Sequence, residues 1–360
     1  MTAWLELAMA TARPCRCGRR DSSQARGNLA TNRQPTIHFS SDGGSGALDP
    51  NPFQHSEHLF GLQIWSYHGV VPPKSFPILV GTCSWLDHKG FYPAEMEKQS
   101  QAKQRLTYYA EFFPIVEVDT TFYGRPKPEV TQAWVDRTPP GFTFDVKAYR
   151  SLTRHERGPD NVPRPPTHEE EHEFLELLKP LRDAHKLGAI EYQFPPWFTR
   201  SVKNQEILLE VRERHPADLL AFEFRHRSWY DEDALPQLEE LMRELGVTFV
   251  AADAPQIGSG TVPPYFGITS SLLNIVRFHG RNTKTWYIRG ADSTARFDYL
   301  YHSTEVEPWV AAIHAAAKHS PVHVLINTNR DNQGPINAYR IADALGVSLP
   351  TAPFDFKADN

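Results

Sequence analysis

Short apolar runs that turn polar at their carboxyl end and then lead into a helix-like segment recur along this chain. Residues 219–229, LLAFEFRHRSW, show the pattern: an apolar strand ends in charged and aromatic side chains, and a helical run begins near residue 231. Such a unit is typical of a parallel sheet. Because ligands of these sheets bind at the carboxyl ends of the strands, the repetition constrains both the fold and the position of a site.

The pattern predicts eight strands and seven helices. The strands cover residues 78–84, 115–120, 142–147, 189–194, 219–224, 247–253, 274–279 and 322–328. The helices cover residues 100–113, 128–137, 169–185, 202–215, 232–245, 305–319 and 335–345. Eight units of this length are typical of an α/β fold, the closed (β/α)8 TIM barrel. Residues 255–271 are loop-like, so helix six is expected to be poorly formed or replaced by a loop.

A doubly wound open sheet is the structural alternative. It usually has fewer strands and a glycine-rich first turn, and GTCSW at residues 81–85 lacks the G-x-G-x-x-G fingerprint. The barrel is therefore expected to occupy residues 77–350. Residues 1–76, rich in Gly, Ser, Pro, Asn and Arg, are expected to form a disordered or loosely packed extension, and residues 351–360 a tail.

Composition limits the classes of function. The net charge of -5 does not favour a nucleic-acid-binding coat. Three cysteines in 360 residues do not make a disulfide scaffold and indicate a reducing compartment. No segment is apolar for long enough to span a membrane. We expect a cytoplasmic protein without an obligate protein partner, and the alternative is that the N-terminal extension is an organelle-targeting segment.

Polar side chains spaced two residues apart mark the strand ends, so they share one face of each strand. Strand four, for example, offers Glu191 and Gln193. Together these side chains predict a polar mouth at one end of the barrel, and the alternative is a set of structural ion pairs that lock neighbouring strands. The catalytic candidates are Glu117, Glu223, Asp253 and His279. The substrate-binding candidates are Asp119, Lys147, Gln193, Arg225, Arg277, Arg281, Asn327 and Asn329, with Trp85, Tyr123 and Trp229 as pocket walls.

The cations among these candidates indicate an anionic ligand, because arginine forks match phosphate and carboxylate oxygens. Lys147, Arg225 and Arg277 would hold the anion. His279, whose free pKa lies near neutrality, and Glu223 would move protons. We further expect the anion to lie between Arg277, Asn327 and the start of the last helix near Pro335.

No cofactor is predicted. The carboxylates and His279 could instead hold a divalent metal. No H-x-H or H-E-x-x-H spacing is present, however, and an arginine beside each carboxylate would repel a cation.

An ordered series of motifs resembles the YecE-like family, also known as the domain of unknown function 72 (DUF72) family. The matching pieces are GTCSW (81–85), FYP (91–93), YYAEFF (108–113), VEVDTTFY (116–123), GFTFDVKA (141–148), QFPPWF (193–198), EFRHRSW (223–229), VRFHGR (276–281), NTN (327–329) and NA (337–338). The resemblance implies a TIM-type barrel with its site at the strand ends, but no known reaction. Asp119 stands where the family commonly has Asn, and Arg154 separates Thr153 from His155 where the family usually has Thr-His.

Three functional hypotheses follow. The first is an enzyme, a hydrolase or an isomerase/lyase, that acts on a small phosphate- or carboxylate-bearing substrate by acid–base chemistry. The second is a non-catalytic binder of a phosphorylated ligand or a nucleic-acid end. The third is a metal-dependent phosphoesterase or nuclease. Fold alone cannot separate them.

Overall fold

The computed structural model describes residues 75–98, 101–258, 261–288 and 293–357. Its eight strands are all parallel and form a closed barrel in the order β1 to β8. The (β/α)8 TIM barrel predicted from the sequence is therefore confirmed. The expectations for residues 1–74 of the N-terminal extension lie outside the described residues.

The strands are β1 (Ile78–Cys83), β2 (Ile115–Val118), β3 (Thr143–Lys147), β4 (Leu187–Phe194), β5 (Leu220–Phe224), β6 (Thr248–Asp253), β7 (Asn274–Phe278) and β8 (Val322–Ile326). The helices are α1 (Ala102–Tyr109), α2 (Thr120–Tyr123), α3 (Pro128–Asp136), α4 (His168–Asp183), α5 (Val202–Arg214), α6 (Leu235–Leu245), α7 (Ser293–Arg296), α8 (Ser303–Ala316) and α9 (Gln333–Ala344). A single 3-10 turn, Arg227–Trp229, follows β5.

Alternation along the strands sorts their side chains into two apolar layers. The larger layer packs between barrel and helices and includes Phe222 and Phe278. A small inner cluster, which includes Ile115 and Val250, fills the lower part of the barrel. On β2, β5 and β7, the next side chains on the same strand face after Ile115, Ala221 and Ile275 are the buried Glu117, Glu223 and Arg277.

The helix boundaries differ from the predicted ones by a few residues where local bonds decide them. Helix α4 begins at His168 because Thr167 and Glu170 form a reciprocal capping box. Helix α6 begins at Leu235, three residues later than predicted, and the preceding residues form turns.

Helix six is replaced by a loop, as predicted: between β6 and β7, residues 254–258 and 261–273 contain no helix. Thr269 fixes this loop to the sheet, because its hydroxyl accepts from Phe249 N at 2.9 Å and donates to Val247 O at 3.0 Å. The Tyr265 ring lies 5.9 Å from the Phe249 ring. The loop thereby covers β6 in place of a helix.

A buried polar pair lies in the lower barrel, below the candidate site. Asp145 Oδ2 is 2.8 Å from His323 Nδ1, and Asp145 Oδ1 accepts from Ala189 N at 2.8 Å. Gly188 is required here, since a Cβ at this position would lie 2.3 Å from Asp145 Oδ1. The pair joins β3 to β8 across the barrel and leaves neither group facing the mouth.

The C-terminal tail packs on the last helix. The rings of Phe354 and Phe356 lie 5.6 and 5.3 Å from the ring of Tyr339 on α9. Among the helices in the described residues, none has both the length and the apolar character needed to cross a bilayer.

Candidate active site

One guanidinium at the centre of the barrel is surrounded by three glutamates. Arg277 of β7 donates from Nε to Glu117 Oε2 of β2 at 2.8 Å and from Nη2 to the other oxygen of the same carboxylate. Its Nη1 donates to Glu223 of β5 and lies 2.7 Å from Glu191 Oε1 of β4. All four side chains are at most 2% exposed. We refer to these four residues as the buried charge cluster.

Glu191 differs from the other two glutamates in its bonding. Within the described residues, neither of its carboxylate oxygens accepts a hydrogen bond, because the close contact with Arg277 lacks hydrogen-bond geometry. Burial raises the pKa of Glu191 to about 7, with Glu223 adding to the rise and Arg277 opposing it. A carboxyl group that titrates near neutrality is suited to give and take a proton.

The two remaining glutamates titrate in opposite directions. Burial raises the pKa of Glu117 well above its usual range, and Arg277 opposes the rise. For Glu223, Arg277 and His279 hold the pKa well below its usual range against the effect of burial. Carboxylates this close titrate as a group rather than one by one. Glu223 is the ionised member.

His279, directly above the cluster, is neutral and held at both ring nitrogens. Its Nε2 lies 3.2 Å from Glu223 Oε1, and its Nδ1 lies 2.9 Å from the amide nitrogen of Asn327. Arg225 Nη1, which can only donate, also lies 2.9 Å from Nε2, so this nitrogen faces both a donor and the Glu223 carboxylate. Burial, followed by the charge of Arg225, lowers the pKa of His279 to about 3. His279 is therefore a poor base at neutral pH.

Arg225 reaches the surface of the mouth beside this histidine. Its Nη1 donates to Glu223 Oε1 at 2.6 Å, and Gln193 Nε2 donates to the same oxygen at 2.8 Å. The Arg225 side chain is 15% exposed. Its guanidinium carbon lies 5.5 Å from the centre of the Trp286 ring. Arg225 thus presents a cation to solvent at the mouth.

Lys147 and Asp119 form the other charged part of the mouth. Lys147 Nζ is 3.1 Å from Asp119 Oδ1, and the Asp119 side chain is 20% exposed. Burial would lower the pKa of Lys147, but Asp119 raises it above its usual value. Near them, burial and then Lys147 and Arg150 lower the pKa of His155 to about 3. His155 is therefore neutral at neutral pH and lies close to several cations.

Four predicted residues converge as their strand positions indicated, namely Glu223, Arg225, Arg277 and His279. Arg277, however, is not placed to bind a ligand anion. Its guanidinium is fully buried and paired with the glutamates of the cluster. Its place is below the mouth.

The predicted anion position at the start of the last helix is also corrected. Asn327 bonds to His279, and the first turn of α9 is packed against other groups. A Cβ at Gly334 would lie 2.7 Å from Thr328 O and 2.8 Å from His88 Cε1. The His88 ring fills the space that the sequence assigned to an anion.

Asp253 and Arg281 lie outside the ring of site residues. Asp253 bonds to Arg281 Nη2 at 2.8 Å and to the Tyr301 hydroxyl at 2.6 Å, between the barrel and its helices. Gly280 has φ +80, so the chain leaves the strand direction after His279 and the predicted alignment of Arg281 with His279 is lost. Their predicted catalytic and binding roles therefore do not fit their positions.

The three aromatic residues predicted to wall the pocket do not do so as a group. Trp229 is fully buried in the outer layer, where its ring stacks 4.4 Å from that of Phe224. Trp85 is also buried and packs edge-on against Trp134 at 5.5 Å. Tyr123 is exposed at the rim.

The remaining predicted position is Asn329. It follows β8 and is almost buried.

The sequence placed Glu191 among the polar side chains of the mouth, but not among the catalytic or substrate-binding candidates. Glu191 shares its strand face with Gln193, and that spacing was the available signal. Nothing in the sequence indicates that its carboxylate is the one left without a hydrogen bond.

Cys83, Glu117 and Asp119 are the group in the described residues that could offer three ligands to a metal, with donor atoms within 4.8 Å of one another. The group fits a cation poorly. Both oxygens of Glu117 already accept from Arg277, and Arg277 Nη2 lies 3.8 Å from Cys83 Sγ. Burial also raises the pKa of the Cys83 thiol well above its usual value, which disfavours the thiolate that binds metals.

Comparison with known proteins identifies similar sequences and folds. The model of a family described as protein of unknown function DUF72 matches residues 79–355. The UPF0759 protein YunF of Bacillus subtilis (strain 168) is 32% identical over 274 residues, which cover 75% of this chain and 95% of that protein.

Two crystal structures share the barrel. A DUF72 family protein from Enterococcus faecalis V583 has a TM-score of 0.64 and 28% identity, covering 77% of this chain and 100% of that chain. A DUF72 family protein from Thermotoga maritima MSB8 has a TM-score of 0.62 and 31% identity, covering 75% of this chain and 99% of that chain.

Proposed function

This chain belongs to the DUF72 family, and from that premise we propose that it is an enzyme that moves a proton on a small phosphate- or carboxylate-bearing substrate at the mouth of its barrel. The observation that supports this proposal is Glu191. Its buried carboxyl group titrates near neutrality and accepts no hydrogen bond from the described residues. A carboxyl group of this kind, next to the mouth of a barrel, is a candidate for proton transfer.

The substrate anion would be held between Lys147 and Arg225. These two side chains are the cations of the site that lie above the buried charge cluster, and Arg225 is partly exposed. Both cations also act on His155, where they add to the lowering of its pKa by burial. Positive potential in a partly enclosed mouth favours anionic substrates.

Glu191 would give or take the proton. Arg277 positions the three glutamates, and the contacts that Gln193 and His279 make with Glu223 keep that carboxylate ionised and fixed. Hydrolysis, isomerisation and elimination all require a proton-transferring group, so the proposal includes a hydrolase and an isomerase/lyase.

Replacing Arg225 with Ala is expected to weaken binding of inorganic phosphate by about tenfold or more, because charge-assisted hydrogen bonds contribute ~1.5–3 kcal/mol. Titration calorimetry of the folded variant at constant ionic strength measures this loss. The matched control is Arg243→Ala, which removes an exposed cation that pairs with Glu239 and Glu240 on α6. Equal phosphate affinity in all three proteins would place the anion site elsewhere.

Turnover is tested by incubating the wild type with a metabolite extract and following consumption by mass spectrometry. We expect one or more anionic metabolites to be consumed, and Arg225→Ala to slow that consumption. Binding of an anion that is not consumed would instead support the hypothesis of a non-catalytic binder.

We also propose that the reaction needs no metal, since Arg277 occupies the side of Glu117 that a cation would require. Dialysis against Zn²⁺ or Mn²⁺ is then expected to leave the melting temperature unchanged, because only a ligand that binds the folded state raises it. Stoichiometric zinc or manganese in the purified protein, with a raised melting temperature, would support the metal-dependent phosphoesterase or nuclease.

A further inference from the structure

The segments that follow β2, β3 and β4 each place one ring on the same side of the mouth. Phe122 follows β2, His155 follows β3 and Trp197 follows β4. The Phe122 and His155 rings are 4.8 Å apart at 87°, and the His155 and Trp197 rings are 5.7 Å apart at 71°. The Trp197 side of this row is open, because the residue is 43% exposed. We refer to these three residues as the aromatic row.

A second aromatic group lies on the opposite side. Trp286 and Phe297 belong to the segment after β7, and β7 is opposite β3 in an eight-stranded closed barrel. Their rings are 5.7 Å apart at 85°. Phe297 lies 6.1 Å from the ring of His279, so this pair stands directly beside the buried histidine. The mouth is therefore flanked by aromatic rings on two sides.

Each aromatic group has a cation at its base. Lys147 Nζ lies 5.0 Å from the centre of the Phe122 ring, and the Arg225 guanidinium lies 5.5 Å from that of Trp286. Arg157 stacks on Trp197 at 4.8 Å and so fixes the plane of the exposed indole. Phe122 and Trp286 thus lie next to the two cations of the proposed anion site, and Trp197 is the exposed end of the row that begins at Phe122.

We propose that the ligand combines a phosphate with a flat aromatic ring, as a nucleoside monophosphate does. This inference rests on the proposed function and names the ligand class for the same site. The phosphate would lie between Lys147 and Arg225, and the ring would stack on the exposed part of Trp197. Every nucleobase offers a flat face of this kind, and stacking on an aromatic side chain adds binding free energy without reading sequence.

The test compares four ligands by titration calorimetry: AMP, ribose 5-phosphate, adenosine and inorganic phosphate. We expect AMP to bind about tenfold or more tightly than ribose 5-phosphate, since the two differ by the stacking ring. In Trp197→Ala this preference should disappear, while binding of inorganic phosphate stays as in the wild type. The matched control is Leu209→Ala, which truncates a side chain of similar exposure, 44%, on α5.

Equal affinity for AMP and ribose 5-phosphate in the wild type would overturn the ring preference and leave the anion site intact. Equal weakening of all four ligands in Trp197→Ala would also overturn the ring preference, since the substitution would then act on the mouth as a whole. Absence of binding by any phosphate-bearing ligand would instead overturn the anion site itself, and this inference with it.

Discussion

Replacing Arg277 with Met is expected to destabilise the protein by about 3–5 kcal/mol, because removing one partner of a buried ion pair leaves the other charge uncompensated. Here the effect concerns three carboxylates that share one fully buried guanidinium. Urea denaturation measures the loss as a lower midpoint, and extensive loss of soluble protein is the extreme form of the same result.

Three further variants test the cause of this loss. Arg277→Lys keeps the charge but not the fork that bonds both oxygens of Glu117, so an intermediate loss is expected. Adding Glu117→Gln to Arg277→Met should recover part of the stability, since it removes the carboxyl group that loses both of its hydrogen bonds from Arg277. Arg243→Met, at an exposed ion pair on α6, should cost less than about 1 kcal/mol. A midpoint for Arg277→Met equal to that of the wild type would show that Arg277 does not compensate the cluster.

Replacing Glu191 with Gln is expected to slow turnover of the substrate by about 10²–10⁴-fold, the usual contribution of a general acid or base. The amide has the same shape as the carboxyl group but cannot exchange a proton near neutral pH. Ligand binding is expected to persist, because Lys147 and Arg225 are unchanged. Steady-state kinetics should therefore show a lower kcat with little change in KM.

The same substitution has a pH-dependent effect on stability. Folding raises the pKa of Glu191 from 4.5 to about 7, so its contribution is complete below pH 4.5 and is lost as the pH rises through 7. The wild type should therefore lose stability relative to Glu191→Gln between these values, by up to roughly 3 kcal/mol at 1.36 kcal/mol per unit of pKa shift. Urea denaturation of both proteins from pH 5 to pH 8 measures the difference.

Glu206→Gln is the control for both effects, because Glu206 is an exposed glutamate on α5. It should change neither turnover nor the pH dependence of stability. A constant difference in stability between Glu191→Gln and the wild type across this pH range would show that Glu191 does not retain its proton on folding. Unchanged turnover in Glu191→Gln would remove it from the reaction.

The two-residue spacing of polar side chains at the strand ends predicted which of these side chains lie close together. It did not predict the chemical role of each one. It brought Glu223, Arg225 and His279 together, as their common strand face predicted. It could not show that burial makes His279 a poor base or that Glu191 is the carboxyl group poised near neutrality. Proximity follows from local alternation, whereas pKa depends on every charge and on the solvent excluded around the group.

The alternation of side chains along a strand also gave wrong positions for residues that lie beyond the end of the strand. Arg281 was expected to follow His279 on one line, but the positive φ of Gly280 redirects the chain and Arg281 pairs with Asp253 outside the mouth. Trp229 was placed at the pocket because it follows β5, yet the 3-10 turn returns it to the outer layer. In both cases the backbone conformation just after the strand set the position of the side chain.

The sequence by itself determined the barrel, the absence of a helix from the described residues between β6 and β7, and the end of the barrel where polar groups collect. These features follow from local periodicity and from the order of the strands. Only the tertiary structure decided that Arg277 belongs to Glu117, 160 residues away, and to two more glutamates. The physical reason is that closing the barrel brings distant strands face to face, and the resulting burial sets which charges pair, which stay neutral and which remain available to a ligand.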